Sequence, residues 1–322
     1  MTPINIIIDN DRLKDIIANS YGISEPFDCK FIRRSFNDHY LIQTKNDRYV
    51  LRVYLNNKYY IKGINDFNFE LDLLSFLASK VIPVSYPIRN KDGLFLSKFL
   101  NDNETRLITM FSYAEGIQIN TLLENNLSVY FGENIANLHK VSNEFQSEHS
   151  RYKVDLNYLI NEPLEMLQQY CSKHKLDNLN FFMPYAKYLY SQLQELPVNN
   201  EAYGIIHGDL NPSNIHVDNN GKITIFDFDH CAYGWRIHDL AVIKLCYAPN
   251  TYEAIVDGYT SIISLSKTEK RLIELYTKTL TIRKYKDVLS MLKISKNDIS
   301  NNFNEREFII SAIETLHNLM YK

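Results

Sequence analysis

Asp209, Asn214 and Asp227 are the residues whose types and spacing best support chemistry. They lie in Ile205-Ile206-His207-Gly208-Asp209-Leu210-Asn211-Pro212-Ser213-Asn214-Ile215-His216-Val217 and Ile223-Thr224-Ile225-Phe226-Asp227-Phe228-Asp229. The apolar runs Ile215 to Val217 and Ile223 to Phe226 read as two strands of a hairpin. Between them, Asp218-Asn219-Asn220-Gly221 supplies residues that tolerate the positive backbone angles of a tight turn. Such a hairpin lays the loop before its first strand beside the end of its second. Two carboxylates and a carboxamide would converge there, offering hard oxygen ligands for Mg2+ and a base for a hydroxyl proton.

The elements that must hold these groups follow from periodicity. Asp9-Asn10-Asp11 offers a helix cap, and Leu13, Ile16 and Ile17 form an apolar stripe ending at Tyr21-Gly22, which predicts a helix over about 10 to 20. The alternating segments 29–34, 39–44 and 48–55 predict an antiparallel meander. In the last of these Val50, Arg52 and Tyr54 share a face, and a charge among such neighbours needs a partner. A helix over 65–79 carries Phe67, Leu71, Leu74, Leu77 and Ala78 on its inner side. Glu70 falls on that stripe, one turn from Phe67 and one from Leu74, and is the predicted partner of Arg52. A second hairpin joins 93–99 to 106–111 across Asn101-Asp102-Asn103. From about residue 117 the pattern turns helical, over 117–124, 128–141, 157–171, 180–196, 240–248, 252–264, 267–288 and 304–319. His139 reads as a packing residue, and His207 and Asp239 as hydrogen-bonding groups that shape the loop. The expected fold class is α+β, with a small antiparallel-sheet lobe over 1–112 and a larger, mainly helical lobe over 113–322.

His-Gly-Asp-x-x-x-x-Asn at 207–214, with an apolar strand ending in Asp227-Phe228-Asp229, resembles the aminoglycoside phosphotransferase/choline kinase group of kinase-like enzymes. Gly234-Trp235-Arg236-Ile237-His238-Asp239-Leu240-Ala241 is similar to that group's continuation. The resemblance covers nearly the whole chain and implies a bilobal kinase-like fold and transfer of the γ-phosphate of ATP, with GTP left open, to a hydroxyl. It implies Asp209 as the base, and Asn214 and Asp227 as ligands of Mg2+. Asp229, two residues further on, stands outside the first set. Arg52 stands where such enzymes carry a Lys that holds the α- and β-phosphates, and a planar, permanently charged fork can take that role. The link Arg33-Arg34-Ser35-Phe36-Asn37-Asp38 lies where the loop over the phosphates is expected; it has no glycine, and Ser35 and Asn37 are its candidate donors. Ser112 to Gly116 corresponds to the hinge, with backbone groups from Met110 to Ser112 as candidates for the adenine edge.

Length and composition set the remaining bounds. At 322 residues, 45% hydrophobic and 23% charged, the chain is long enough for two lobes. A net charge of −3 gives no reason to expect nucleic acid as partner. The four cysteines are far apart, which predicts free thiols. The amino terminus lacks the flanks of a signal peptide, and no run approaches the roughly 18 apolar residues of a membrane span, so the expected location is the cytoplasm. The resemblance implies an antibiotic, amino alcohol or sugar-like acceptor, and the oligomeric state is open. Residues 240–322 hold twelve Lys and Arg against nine Asp and Glu, with the cluster Arg283-Lys284-Tyr285-Lys286, which leans away from a polycationic acceptor. A protein Ser/Thr kinase and an idle nucleotide-binding protein are the alternatives; retention of Asp209, Asn214 and Asp227 weighs against the idle one.

Overall fold

A computed structural model describes residues 7–23, 26–56, 58–101, 104–294 and 304–321. In chain order the elements are α1 (Asn10–Tyr21), β1 (Asp28–Arg34), β2 (Asn37–Gln43), β3 (Arg48–Tyr54), α2 (Ile64–Ser79), β4 (Pro87–Ile88), β5 (Ser97–Asn101), β6 (Glu104–Ser112) and β7 (Ile117–Gln118). There follow α3 (Asn125–Val141), β8 (Lys153–Val154), α4 (Glu162–Lys173), α5 (Met183–Leu193), β9 (Tyr203–Ile206), β10 (Ile215–Val217), β11 (Ile223–Ile225) and β12 (Ala232–Trp235). Four helices close the chain: α6 (Ile237–Cys246), α7 (Pro249–Thr260), α8 (Lys267–Ile294) and α9 (Glu305–Tyr321). The fold is α+β, as expected. The chain divides into two compact units, Met1–Ile117 with Phe145–Arg151 and His216–Asp227, and Gln118–Glu144 with Tyr152–Ile215 and Phe228–Lys322.

In the first unit an antiparallel sheet of order β1-β2-β3-β6-β4, with β5 also on β6, carries two different faces. Asp9 caps α1 by accepting the N–H groups of Asp11 and Arg12, and Gly22 ends the helix at φ 73°. Leu13 and Ile17 of α1 then pack with Tyr40, Ile42, Leu51, Val53, Ile108 and Met110 over one face. The other face carries Arg52, directly opposite His39 on β2 and Thr109 on β6. Phe67, Leu71, Leu74 and Leu77 of α2 are buried, and so is Glu70. Phe145 packs its ring against Phe69 and Phe76, and Arg151 donates to the Asp66 carbonyl at 2.6 Å. Ile225 on β11 bonds the link after α2, donating to the Pro83 carbonyl at 2.8 Å and accepting from the Ser85 N–H at 3.0 Å. These contacts fix the strand that ends just before Asp227.

In the second unit β12 pairs antiparallel with β9 and parallel with β8, while helices form the rest. α8 packs against α4, α5 and α6. Helices α3 and α7 meet at reciprocal glycines: a Cβ on Gly132 would lie 1.9 Å from the Ile255 carbonyl oxygen, and one on Gly258 would lie 2.0 Å from that of Val129. No side chain fits at either crossing point.

Three expectations from periodicity are corrected or left outside. Residues 117–124 are not a helix: β7 occupies Ile117–Gln118 and an irregular link follows. Gly116, at φ 90°, lies so close to Val217 that a Cβ would be 2.0 Å from its carbonyl oxygen, and the Ile119 N–H donates to the Ile215 carbonyl. The backbone there bonds neighbouring strands instead of its own preceding turn. The stretch predicted as one helix over 157–171 begins with a wide π-turn, Asn157–Asn161, because Pro163 has no N–H to donate four residues back. The turn at Asp102-Asn103 lies outside the described residues, although Asn101 and Glu104 pair across it. None of the four cysteines is in a disulfide. Among the described residues no helix is long and apolar enough to cross a membrane.

The α3–α7 crossing gives the first test. Gly132→Ala must force the helices apart or strain both, which lowers stability by about 1–3 kcal/mol. A drop of a few degrees in the thermal unfolding midpoint is the expected reading.

Candidate active site

The loop of His207 to Asn214 is held in the second unit by a buried carboxylate. Asp239, in the first turn of α6, accepts the N–H of His207 and the N–H of Gly208, both at 2.8 Å. His139 Nε2 lies 2.9 Å from the same carboxylate, and the Tyr259 hydroxyl lies 3.0 Å from His139 Nδ1. Burial would push the Asp239 carboxyl up, but the hydrogen bond and charge of His139 with the other neighbouring histidines hold it down to about 2. Burial lowers His139, so a neutral ring that donates through Nε2 and accepts the tyrosine proton at Nδ1 satisfies both neighbours. The packing role expected of His139 and the loop-shaping role expected of Asp239 are both observed.

Gly208 sits at φ 84°, where a Cβ would lie 2.4 Å from the His230 carbonyl oxygen, so glycine is required. Asp209 follows, its N–H donating to His207 Nδ1 at 3.2 Å. Asn214 donates through Nδ2 to the Asp209 carbonyl and to its carboxylate Oδ2, each at 2.9 Å. Asn211 closes the turn by accepting the Ser213 N–H. The structure thus brings Asp209 and Asn214 together.

In the first unit Arg52 joins two carboxylates. Its Nη1 lies 2.5 Å from Glu70 Oε1 and its Nη2 lies 3.1 Å from Asp227 Oδ1. The Arg52–Glu70 pair is the one anticipated from helical phase; both side chains are buried. The contact to Asp227 was not anticipated, since nothing local to either residue signals it. Asp227 itself adopts φ 65°, a left-handed backbone that Asp tolerates and that costs on the order of 1 kcal/mol. Arg33 Nη2 lies 3.6 Å from its second oxygen, and this residue too was missed.

The remaining predicted residues are placed as follows. Ser35 is half-buried, and its N–H bonds the Asn37 carbonyl across a very tight turn. Asn37 is fully buried at the start of β2, opposite Tyr54. The Met110 N–H donates to the Tyr21 hydroxyl at 2.9 Å, and the Ser112 N–H donates to the Tyr86 carbonyl. Asp229 is buried. In the α8 cluster Arg283 and Lys286 are buried, while Lys284 is exposed. Arg283 is buried, with Nε 3.4 Å from Asp287 and Nη1 3.4 Å from the Gly208 carbonyl, and Lys286 is buried against Glu162 and the Tyr158 ring. His238 Nε2 also reaches the Gly208 carbonyl, at 3.4 Å. Among the described residues no group of three His, Cys, Asp or Glu could hold a metal ion by itself.

This combination of an Asp–Asn loop, a buried loop-pinning carboxylate and an Arg–Glu pair is found on a chain that belongs to the phosphotransferase enzyme family (APH), whose sequence model matches residues 28–267. A protein of Synechocystis sp. with no assigned role is 28% identical over 288 residues, 88% of this chain and 79% of its own. The amicoumacin kinase of Bacillus subtilis is 25% identical over 229 residues, 70% of this chain and 65% of that enzyme. Among solved structures, an amicoumacin kinase in complex with AMP-PNP and Ca2+ shares the fold, with a TM-score of 0.74 and 16% identity over 97% of this chain and 94% of the other.

The histidines around the loop set its pH dependence. Burial, then the charge of Arg283, pushes His238 down from 6.5 to about 4, and burial lowers His139 and His230 as well. A histidine that binds its proton more weakly when folded contributes fully above the unfolded value, and stability falls as the pH drops from about 6.5 towards 4. His238 alone accounts for about 3 kcal/mol of that loss. Urea unfolding followed from pH 7 to pH 4 should show the decline, and His238→Gln should flatten it; an unchanged slope in the variant would refute the assignment.

Proposed function

We propose that the chain is an ATP- and Mg2+-dependent kinase that moves the γ-phosphate of ATP onto a hydroxyl of a small molecule. The observation that carries this reading is the Asn214 amide bound to Asp209 Oδ2 at 2.9 Å, in a loop whose backbone Asp239 pins. A carboxylate fixed in this way can accept the acceptor's hydroxyl proton with little reorganisation. The Asn214 carbonyl oxygen and the Asp227 carboxylate are the proposed metal ligands. One neutral and one anionic oxygen fit Mg2+, which binds few protein groups and completes its shell with phosphate oxygens and water. When bound, the ion would neutralise charge on the transferring phosphoryl group. Arg52, aimed by Glu70, would grip the α- and β-phosphates, and the Ser35 hydroxyl is the donor left in the turn beyond, since Asn37 is buried at the start of β2.

The lobe over 1–112 is the proposed nucleotide-binding part, and 113–322 the catalytic and acceptor-binding part. Because the N–H groups of Met110 and Ser112 are already bonded, the adenine edge is assigned to the hinge Ser112–Gly116 instead of the Met110 amide. A nucleotide with a divalent cation is supported by the related kinase held with AMP-PNP and Ca2+, and a small-molecule acceptor by the amicoumacin kinases. Among antibiotics, amino alcohols and sugars, the basic excess over 240–322 leans away from polycationic acceptors, and Arg283 and Lys286, which are internally paired, contribute nothing to that lean. An ATP-consumption screen across those three classes identifies the acceptor.

Asp209→Asn tests the mechanism. It keeps the shape of the loop and removes the base, so turnover should fall by roughly 10²- to 10⁴-fold while Mg-ATP affinity, measured by calorimetry, stays within about threefold. Retained turnover would remove Asp209 from the base role.

A further inference from the structure

β1 carries a bulge at Ile32: Phe31 stands opposite Tyr40 and Arg33 opposite His39, so one residue of β1 has no counterpart on β2. In an uninterrupted strand Cys29, Phe31 and Arg33 would share a face. Cys29 and Phe31 pack into the core beneath α1, so Arg33 would follow them inward. The extra residue reverses the alternation. Arg34 takes the core side, where its guanidinium grips Asp38 at 2.6 and 2.9 Å. Arg33 turns to the opposite face. There Arg33, His39 and Arg52 are successive partners across β1, β2 and β3. Arg33 and Arg52 converge on the two oxygens of Asp227, at 3.6 and 3.1 Å. They differ in access: the Arg52 side chain is 4% exposed and that of Arg33 40%.

We propose that Arg33 binds the polyphosphate of the nucleotide, as the solvent-facing end of a basic row, Arg33-His39-Arg52, that stands in for a glycine-rich loop. This inference rests on the nucleotide reading above. The β1–β2 turn has no glycine, its Ser35 N–H is used by the Asn37 carbonyl, and Asn37 is buried, so the turn is poorly built to cradle phosphates with backbone amides. A guanidinium on the adjoining strand supplies the missing donors as a planar fork matched to phosphate oxygens. Asp227 holds that fork at the place where the phosphates would lie. A phosphate there would offer both arginines a more strongly charged acceptor than the carboxylate they share.

Calorimetric titration of the full chain with ATP, ADP and AMP, each with Mg2+ and with EDTA, tests the assignment. Arg33→Ala should weaken ATP and ADP roughly 10- to 100-fold under both conditions and leave AMP within about twofold. Arg33→Lys should recover part of the loss, because it restores charge without the fork. The unfolding midpoint of each variant is read alongside, and Arg33→Gln takes the place of any variant that does not unfold cooperatively. Unchanged ATP affinity in Arg33→Ala overturns the proposal. So does tighter binding, which would make Arg33 a competitor for Asp227. A wild-type chain that binds none of the three nucleotides overturns the nucleotide reading, and this inference with it; that outcome is distinct from binding that simply ignores Arg33.

Discussion

The buried carboxylate of Asp239 is the constraint on which the candidate catalytic loop depends. An ionised group with no solvent exposure is expensive to bury unless its oxygens are fully engaged. Here two backbone N–H groups and one imidazole engage them. The same bonds that keep Asp239 ionised dictate where His207 and Gly208 lie, and so where the next residue, Asp209, begins. His139 on α3 and Tyr259 on α7 extend the network, and those two helices lie close because Gly132 and Gly258 leave no side chain between them. The position of one candidate base therefore rests on a helix crossing far away in sequence.

The first unit uses the same economy with opposite charge. Arg52 is buried between aromatic rings, with its guanidinium carbon 4.6 Å from the centre of Phe111 and 5.6 Å from that of Tyr54. Such a charge persists in a protein interior only when its donors are directed at acceptors, and Glu70 and Asp227 supply them. Asp227, whose carboxylate meets the fork, has a left-handed backbone. A single inserted residue in β1 brings a second arginine to the same carboxylate. Charge is thus placed by backbone irregularities: a bulge, one positive φ and a tight turn.

The fold class and much of the candidate site were legible because they depend on local signals. Alternation marked the meander, a capped apolar stripe marked α1, and helical phase alone put Glu70 on the inner side of α2 toward Arg52. The helix expected at 117–124 failed because amphipathic spacing says nothing about which backbone groups a neighbouring strand will claim. The internal pairing of Arg283 and Lys286 was hidden for a related reason. A charge count cannot tell a solvated lysine from one paired with a glutamate more than a hundred residues away, as Lys286 is with Glu162. Met110 was placed correctly on its strand, but the hydroxyl of Tyr21, distant in sequence, had already taken its N–H.

The sequence by itself determined the chemical inventory and its local spacing: an Asp and an Asn five positions apart in one loop, a second Asp after a short strand, and an Arg and a Glu on elements of opposite period. These follow from side-chain chemistry and from the periods of strand and helix, which need no long-range information. Only the tertiary structure decided which groups meet: Asp239 with the loop amides, Arg52 and Arg33 with Asp227, and Tyr21 with Met110. Each of those contacts joins residues brought together by packing, and for Asp239 and Arg52 the setting is buried, where an unsatisfied polar group is too costly to leave without a partner.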